Sequence, residues 1–430
     1  MPGPRQGNRR ADRDTLQAKP KAKPKTKPPQ RKPKEPERKE KEEILSDEDP
    51  SGINLSKPIP LSLQQLLLDV FKTALLASAG TDADSSESQY ESLDIKSLIQ
   101  TIKSHLYQRD FDSAFTEAGE DHLRAYALRW SASRALGYAG LFKGVLRWMR
   151  GEGAPIKDAS ASDTRVVCLG GGAGAEIVAL AAAWRDLDGG ASSLSARAEA
   201  LSLEESEDKD KDADAETDSS SKLSLSTRNL SIAAVDIADW SSVVRRLSST
   251  LTSPDVPAPS TSRYKAPLVP VGDKVDVDFH RVDLLGLPEK ELKDVVLGSG
   301  AVSPSSLLVT LMFTLNELFS TSMPKTTAFM LRLTEILKPG AVLLVVDSPG
   351  SYSTLKMGKP GPDGVQQERN YPMKFLLDHT LISVAKGQWE QIYTQDSRWW
   401  RREASRLMYD VGEGAGLEDM RFQVHIYRRI

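Results

Sequence analysis

Four glycines crowd the stretch "CLGGGAGAE": Gly170, Gly171, Gly172 and Gly174. They follow a short apolar run from Arg165 and lead into the alanine-rich "AEIVALAAAW". A strand, a glycine turn and a helix in that order make a cradle at the end of a parallel strand. Glycine lets the backbone turn tightly and approach a ligand without a Cβ, and the helix N-terminus adds unpaired N–H groups. The natural companion is an acid ending the next strand, placed to accept hydrogen bonds from ribose hydroxyls. Asp236 in "AAVDIADW" is that acid. The usual separation is ~20 residues, and leaving out the Ser/Asp/Glu-rich stretch 186–228 brings Asp236 to about that distance. The pattern points to a nucleoside-containing ligand. It does not select one, because Gly170-x-Gly172-x-x-Ala175 also satisfies the dinucleotide pattern G-x-G-x-x-G/A, and a tight connection alone has the same composition.

The elements that must position these residues alternate from Arg165 onward. Strands are predicted at "RVVCL", "LSIAAVDIADW", "VDVDFHRVDLL", the apolar "SSLLVTLMFTLNELFS" and "AVLLVVDSPGSYS". Helices are predicted at "WSSVVRRLSSTL" and "KTTAFMLRLTEILKPG", the latter stopped by Pro339-Gly340. The tail "MRFQVHIYRRI" reads as a closing edge strand. Such alternation predicts an α/β fold, a doubly wound and mostly parallel sheet with helices on both faces, over residues 156–430. Before it, helical periodicity over residues 59–155 predicts a helical N-terminal domain. Its Arg124, Arg129 and Arg134 are either surface charges or the lining of a substrate groove, and the sequence leaves both open. Residues 1–58, rich in Lys-Pro alternation, predict a disordered basic tail that is a nuclear address, a nucleic-acid tether or a solvating segment, and residues 186–228 a disordered acidic insertion.

Composition narrows the classes. The 430 residues carry 57 basic and 60 acidic side chains, so the net charge of −3 hides a basic start and an acidic middle. A single cysteine, Cys168, forms neither an intrachain disulfide nor a cysteine-based zinc site, which suits a reducing compartment. No apolar run approaches a membrane span and no secretory signal opens the chain, so a soluble intracellular protein without membrane or metal partners is expected. No Cys/His nucleophile pair, HExxH or Walker loop appears, which leaves hydrolase and ATPase readings unsupported.

Taken together, "VVCLGGGAGAE", Asp236, Asp283 in "HRVDLLG" and "EILKPGAVLLVVD" resemble a class I S-adenosylmethionine-dependent methyltransferase. More narrowly, "AYALRWSASRALGYA", "LMFTLNELFS", "LLVVDSPGSYS" and "WWRREASRLMYD…LEDMRFQVHIYRR" resemble the fungal 25S ribosomal RNA uridine-N3-methyltransferases, from Leu61 to Ile430 without the acidic insertion. The resemblance implies S-adenosylmethionine as cofactor, with Gly170, Gly171, Gly172 and Gly174 at its methionine and ribose portion. It puts Asp236 on the ribose and Asp283 near the adenine, although an Asp after a strand is also a common turn former. One departure matters. The superfamily often has an acid two residues before the first glycine, where this chain has Cys168. Glu176 is the substitute, or it merely offsets the dipole of the helix it starts.

The resemblance further implies a uridine in ribosomal RNA or a pre-ribosomal particle as substrate, and a nuclear or nucleolar protein, with cytoplasmic pools equally compatible. Methylation at N3 needs the nucleophile aligned and its proton removed. Asn316 could read the uracil edge, and Glu317 and Asp347 are candidate bases. A turn and a helix start account for the same residues. The target base must be unpaired or flipped. Trp399, Trp400, Arg398, Arg401 and Arg402 form an aromatic–basic run suited to holding it, with Lys356 and Lys359 in a loop over the site; buried tryptophans are the alternative. A nicotinamide oxidoreductase and a non-catalytic ribosome-assembly factor are the competing readings.

Overall fold

The computed structural model describes residues 52–77, 93–151, 163–188, 229–298, 304–350, 352–357 and 367–430. Most of the basic tail, the insertion from 189 to 228, and Lys359 lie outside the described residues.

Seven strands form one sheet. In chain order these are β1 (Thr164–Leu169), β2 (Asn229–Asp236), β3 (Lys274–Arg281), β4 (Ser306–Met312), β5 (Val342–Asp347), and then β8 (Trp389–Trp400) and β9 (Met420–Arg429). A separate two-stranded hairpin, β6 (Tyr352–Met357) with β7 (Gln367–Pro372), comes between β5 and β8. The order across the sheet is β3-β2-β1-β4-β5-β9-β8. The first five strands are parallel, and β9 runs antiparallel to both β5 and β8. The C-terminal strand is therefore interior. The sequence reading had it at the edge, but β8 takes that place and covers its outer ladder. The strand order reverses between β1 and β4, so the crevice at their carboxyl ends is the expected ligand site.

Every residue of β1 and β5 is buried, as expected for strands covered on both faces. Alternate side chains go to opposite cores. Val166 and Cys168 face a core shared with α1 (Leu61–Leu76), α2 (Ile95–Gln108), α3 (Glu120–Tyr126), α4 (Ala132–Met149), the helix 175–188 (α5) and α6 (Ser241–Leu251). Val167 and Leu169 face α7 (Glu289–Leu297), α8 (Leu315–Ile336) and α9 (Met373–Asp378). The N-terminal helices thus pack into the same core as the sheet's first face. Order starts early: Ile53, Leu55 and Ile59 are already buried in that core. A π-helical turn, Ala127–Ser131, links α3 to α4.

The run "SSLLVTLMFTLNELFS" divides. Strand β4 stops at Met312 and "NELFS" belongs to α8, which kinks at Ser322 ahead of Pro324. The break lies at Phe313, whose φ of 58° is rare for a bulky residue.

Candidate active site

The glycine turn sits at the switch point, tied to the neighbouring strands. Gly170 donates its N–H to Val235 O at 2.7 Å, at the end of β2. Gly172 donates to Asp236 Oδ2 at 3.2 Å, and Ala238 donates to Asp236 Oδ1 at 3.1 Å. Asp236 is thereby fixed at the carboxyl end of β2, and burial pushes its pKa above the ordinary carboxylate value. A carboxylate has about four acceptor positions, so these two bonds leave room for ribose hydroxyls. The glycines have a second use that the sequence did not show. A Cβ on Gly172 would lie 2.7 Å from Asp236 Cβ and closer still to the Trp240 ring. Gly174 has φ of +82° and no space against Leu247. Gly170 faces Thr314, and Gly171 faces Glu176 and Cys168. Protein side chains press on the inner side of the loop, so glycine is required there whatever binds outside.

Glu176 is 3 % exposed and lies against the glycine turn, where a Cβ on Gly171 would meet its carboxyl. Cys168 and Thr310 are register partners on adjacent strands β1 and β4. Thr310 Oγ1 donates to Glu176 Oε1 at 2.5 Å, and the Cys168 thiol lies against the same carboxyl. Burial pushes the Glu176 pKa up to about 8, with the Asp236 charge adding to it. The cysteine's place and the glutamate's carboxyl form one cluster, in which the acid reaches the end of β1 from α5.

On the other side of the crevice, Asp347 ends β5 and is buried. Its Oδ2 accepts the Asn316 backbone N–H at 3.1 Å and its Oδ1 the Ser348 N–H at 2.7 Å, so it holds the first turn of α8. Asn316 is 9 % exposed, and its side-chain Oδ1 is buried without a hydrogen-bond partner. Such orphaned acceptors cost about 1–3 kcal/mol, and in a crevice they call for a donor from a ligand. Glu317, the next residue, is partly exposed. Asp283, after β3, is exposed and accepts the Leu285 N–H at 2.9 Å, a turn-forming contact.

The N-terminal helices wall the crevice. Tyr126 and Trp240 have ring centroids 5.7 Å apart, and Tyr126 also packs on Phe115 and Trp130. The three arginines left open by the sequence part company. Arg124 donates to Leu75 O at 3.0 and 2.6 Å, stapling α3 to α1. Arg129 pairs with Glu418. Arg134 lies over the Phe313 ring at 5.0 Å and donates to Tyr126 Oη at 3.0 Å. The sequence leaves a surface charge and a groove lining open for each of the three, and Arg134 is the one packed on the loop after β4.

The aromatic–basic run lies on the same edge. β8 pairs with β9 so that Arg398 meets Phe422 and Trp400 meets Met420, next to the Asp347–Gln423 pair of β5 and β9. Its members have different surroundings. Trp399 is 52 % exposed, with the Arg401 and Arg421 guanidinium groups 5.1 and 5.7 Å from its ring. Trp400 packs over the face of Gly137 in α4. Arg398 is tied to Gln395 and Ser56, and Arg402 to Leu417 O and Asp419. Lys356 is in β6, opposite Glu368. The cavity of about 980 Å³ lined by Lys57, Lys143 and Lys338 is at the opposite, amino-terminal edge of the sheet and contains none of these residues. Among the described residues, no helix is long and apolar enough to cross a membrane and no cluster of side chains could hold a metal ion.

A sheet of this order, with a glycine turn after its first strand and a buried acid ending its second, has the architecture of a class I methyltransferase. A family of S-adenosylmethionine-dependent methyltransferases matches residues 82–428, and the chain belongs to it. Among curated proteins it is similar to the 25S rRNA (uridine(2843)-N(3))-methyltransferase of Saccharomyces cerevisiae, 32 % identical over 373 residues, 84 % of this chain and 85 % of that one. Solved structures are more distant. An O-methyltransferase family 2 protein from Planctomyces limnophilus is 12 % identical over 88 % of each chain, with a TM-score of 0.34. The N-methyltransferase NodS from Bradyrhizobium japonicum, in complex with S-adenosyl-L-homocysteine, is 9 % identical over 77 % of this chain and 98 % of its own, with a TM-score of 0.28.

The site fits S-adenosylmethionine, the family's cofactor. Asp236, fixed beside the glycine turn, retains acceptor positions for a ribose.

Proposed function

We propose that the protein methylates N3 of a uridine in large-subunit ribosomal RNA, as the name of its yeast relative describes for that protein. The observation that carries this reading is the buried pair of Asn316 and Asp347 at the carboxyl ends of β4 and β5, an amide and a carboxylate beside the strand switch point. A uracil edge is an imide: an N–H flanked by two carbonyls. Asn316 would hold that edge by donating to a flanking carbonyl, leaving N3 open to the methyl and its proton to a carboxylate. Asp347 would set the position of Asn316 through the backbone bond at 3.1 Å.

S-adenosylmethionine supplies a methyl group on a sulfonium, a good leaving group. The chain's own work is alignment and removal of the N3 proton. Asp347 and Glu317 are the carboxylates adjoining Asn316, and Asp347→Asn and Glu317→Gln assign the proton's destination through the pH dependence of kcat. Gly170, Gly171, Gly172 and Gly174 with Asp236 and Glu176 would hold the cofactor. Asp283 would serve the adenine end.

The target uridine would leave its pairing and stack near Trp399, with Arg401 and Arg421 available to phosphates. Arg398, Trp400, Arg402 and Lys356 would support that edge. A nuclear or nucleolar location would suit an rRNA substrate, with cytoplasmic pools equally compatible. Reverse transcription is a direct test, because a methyl on N3 blocks base pairing. Large-subunit rRNA treated with protein and S-adenosylmethionine should arrest the polymerase next to one uridine. Unchanged read-through on both naked rRNA and precursor particles would leave the assembly-factor alternative.

A further inference from the structure

At the amino-terminal edge of the sheet, away from the crevice, the cavity of about 980 Å³ is walled by five cations: Lys57, Lys143, Arg147, Lys338 and Arg428. They come from four separate elements: the segment before α1, α4, the turn after α8, and β9. Among the described residues no Asp or Glu lies in that wall, and Trp148 is its one aromatic. The chain has more acidic than basic side chains, so this segregation needs a cause.

Local packing accounts for part of it. Arg147 is in the last turn of α4 and Lys338 just past α8, where a cation offsets about half a charge of helix dipole. Lys143 and Arg428 pair with Asp186 at 2.6 Å and Glu390 at 2.5 Å, acids outside the wall. Two acids and two helix ends do not balance five cations, and Lys57 has neither kind of partner among the described residues. Its place is nevertheless built. A Cβ on Gly140 would lie 3.5 Å from Lys57 O, and one on Gly144 would strike Asn54 O. Glycine weakens a helix interior, so α4 gives up stability where it seats this segment.

A wall of cations without acids recognises phosphate. Small-molecule sites of about 300–1,000 Å³ are mostly apolar with a few placed polar groups. Here charge dominates, and Lys57, Arg147 and Lys338 are exposed. That is the composition of a groove that follows a nucleic-acid backbone. The Lys-Pro-rich run precedes Gly52 in sequence, and Gly52 is itself part of the wall.

We propose that this cavity is a second RNA site, which takes the phosphodiester backbone of the substrate at the sheet edge opposite methyl transfer. This rests on the rRNA reading above. The two edges are about 20 Å apart, the length of a six-residue strand such as β5. An RNA that reaches both must extend beyond the loop that presents the uridine. A short oligonucleotide in the crevice would miss the cavity.

The test measures affinity of the full-length chain for large-subunit rRNA over a series of salt concentrations. The variants are Lys57→Gln/Lys338→Gln, Lys57→Arg/Lys338→Arg and, as a control outside the wall, Lys103→Gln/Lys293→Gln at two exposed lysines. Each phosphate neutralised contributes about 0.7–0.9 to the slope of log affinity against log salt. The slope should fall by about 1.5 in the cavity Gln pair and stay at the wild-type value in the Arg pair and the control pair. A short oligouridylate should bind all four proteins alike, and S-adenosylhomocysteine affinity, which reports the fold, should be unchanged throughout. An unchanged slope in the cavity Gln pair, or an equal fall in the control pair, would overturn this assignment alone. So would binding of inorganic phosphate or uridine triphosphate that depends on Lys57 and Lys338 and that rRNA does not displace, the mark of a small-anion site. No binding of rRNA by the wild type would overturn the rRNA reading and this proposal with it.

Discussion

Replacing Glu176 by glutamine should stabilise the cofactor-free protein, and the size of the effect follows from the burial of that side chain. Glu176 is 3 % exposed, between Thr310 and Cys168, and its pKa is pushed from the ordinary 4.5 up to about 8. A carboxyl whose folded pKa lies above its unfolded value binds a proton more tightly in the folded state. The folded state is therefore favoured at low pH and loses ground as pH rises from 4.5 toward 8. At about 1.4 kcal/mol per pH unit, the handicap reaches about 3 kcal/mol at neutral pH. Glutamine has nearly the same shape, keeps an acceptor for Thr310 Oγ1 and never ionises. Urea unfolding of both proteins without cofactor should show Glu176→Gln more stable by about 3 kcal/mol at pH 7, with the difference shrinking to within about 1 kcal/mol at pH 5. A gap that is absent at pH 7, or equal at the two pH values, would refute the claim that this carboxyl is held protonated.

Gly174→Ala puts a Cβ at φ +82° against Leu247, and should cost roughly 1–3 kcal/mol in urea unfolding while lowering cofactor affinity. Asp236→Ala removes the anchor of the Gly172 N–H and should weaken S-adenosylhomocysteine and methylthioadenosine alike, by about 10-fold or more in calorimetry. Trp399→Ala should leave stability within about 0.5 kcal/mol, because the ring is 52 % exposed. It should weaken binding of an RNA loop containing the target by roughly 5- to 150-fold, the value of one stacked base. Trp400→Ala should instead lower stability, since its ring packs on Gly137.

The cradle could be read from the chain because its signals are local. An apolar run, a glycine turn and an alanine-rich helix each depend on neighbours a few residues away, and Asp236 closes the next strand in the same way. Phe313 shows where this stops. "LMFTLNELFS" is apolar on both sides of the break, and hydrophobicity alone does not separate a buried strand from the helix that follows it. The place of β9 was also hidden. Its alternation suits a strand, but its interior position depends on β8, whose exposed face in "WEQIYTQDSRWW" weakens the apolar signal. Within the aromatic–basic run, composition could not tell Trp399 from Trp400, since the difference is a glycine on α4 that only folding brings near. The three arginines that the sequence leaves open between surface and groove are sorted for a related reason: Arg134 packs on Phe313, and Arg124 and Arg129 meet Leu75 O and Glu418, all distant in sequence.

The central claim is that the crevice between β1 and β4 transfers a methyl group to N3 of a uridine. The most direct measurement is to incubate large-subunit rRNA and its precursor particles with the protein and methyl-labelled S-adenosylmethionine, digest to nucleosides, and separate them by chromatography with mass detection. The label should appear in 3-methyluridine alone and be lost with Asp236→Ala. Label in a ribose-methylated or C5-methylated nucleoside, or in none from either substrate, would contradict it.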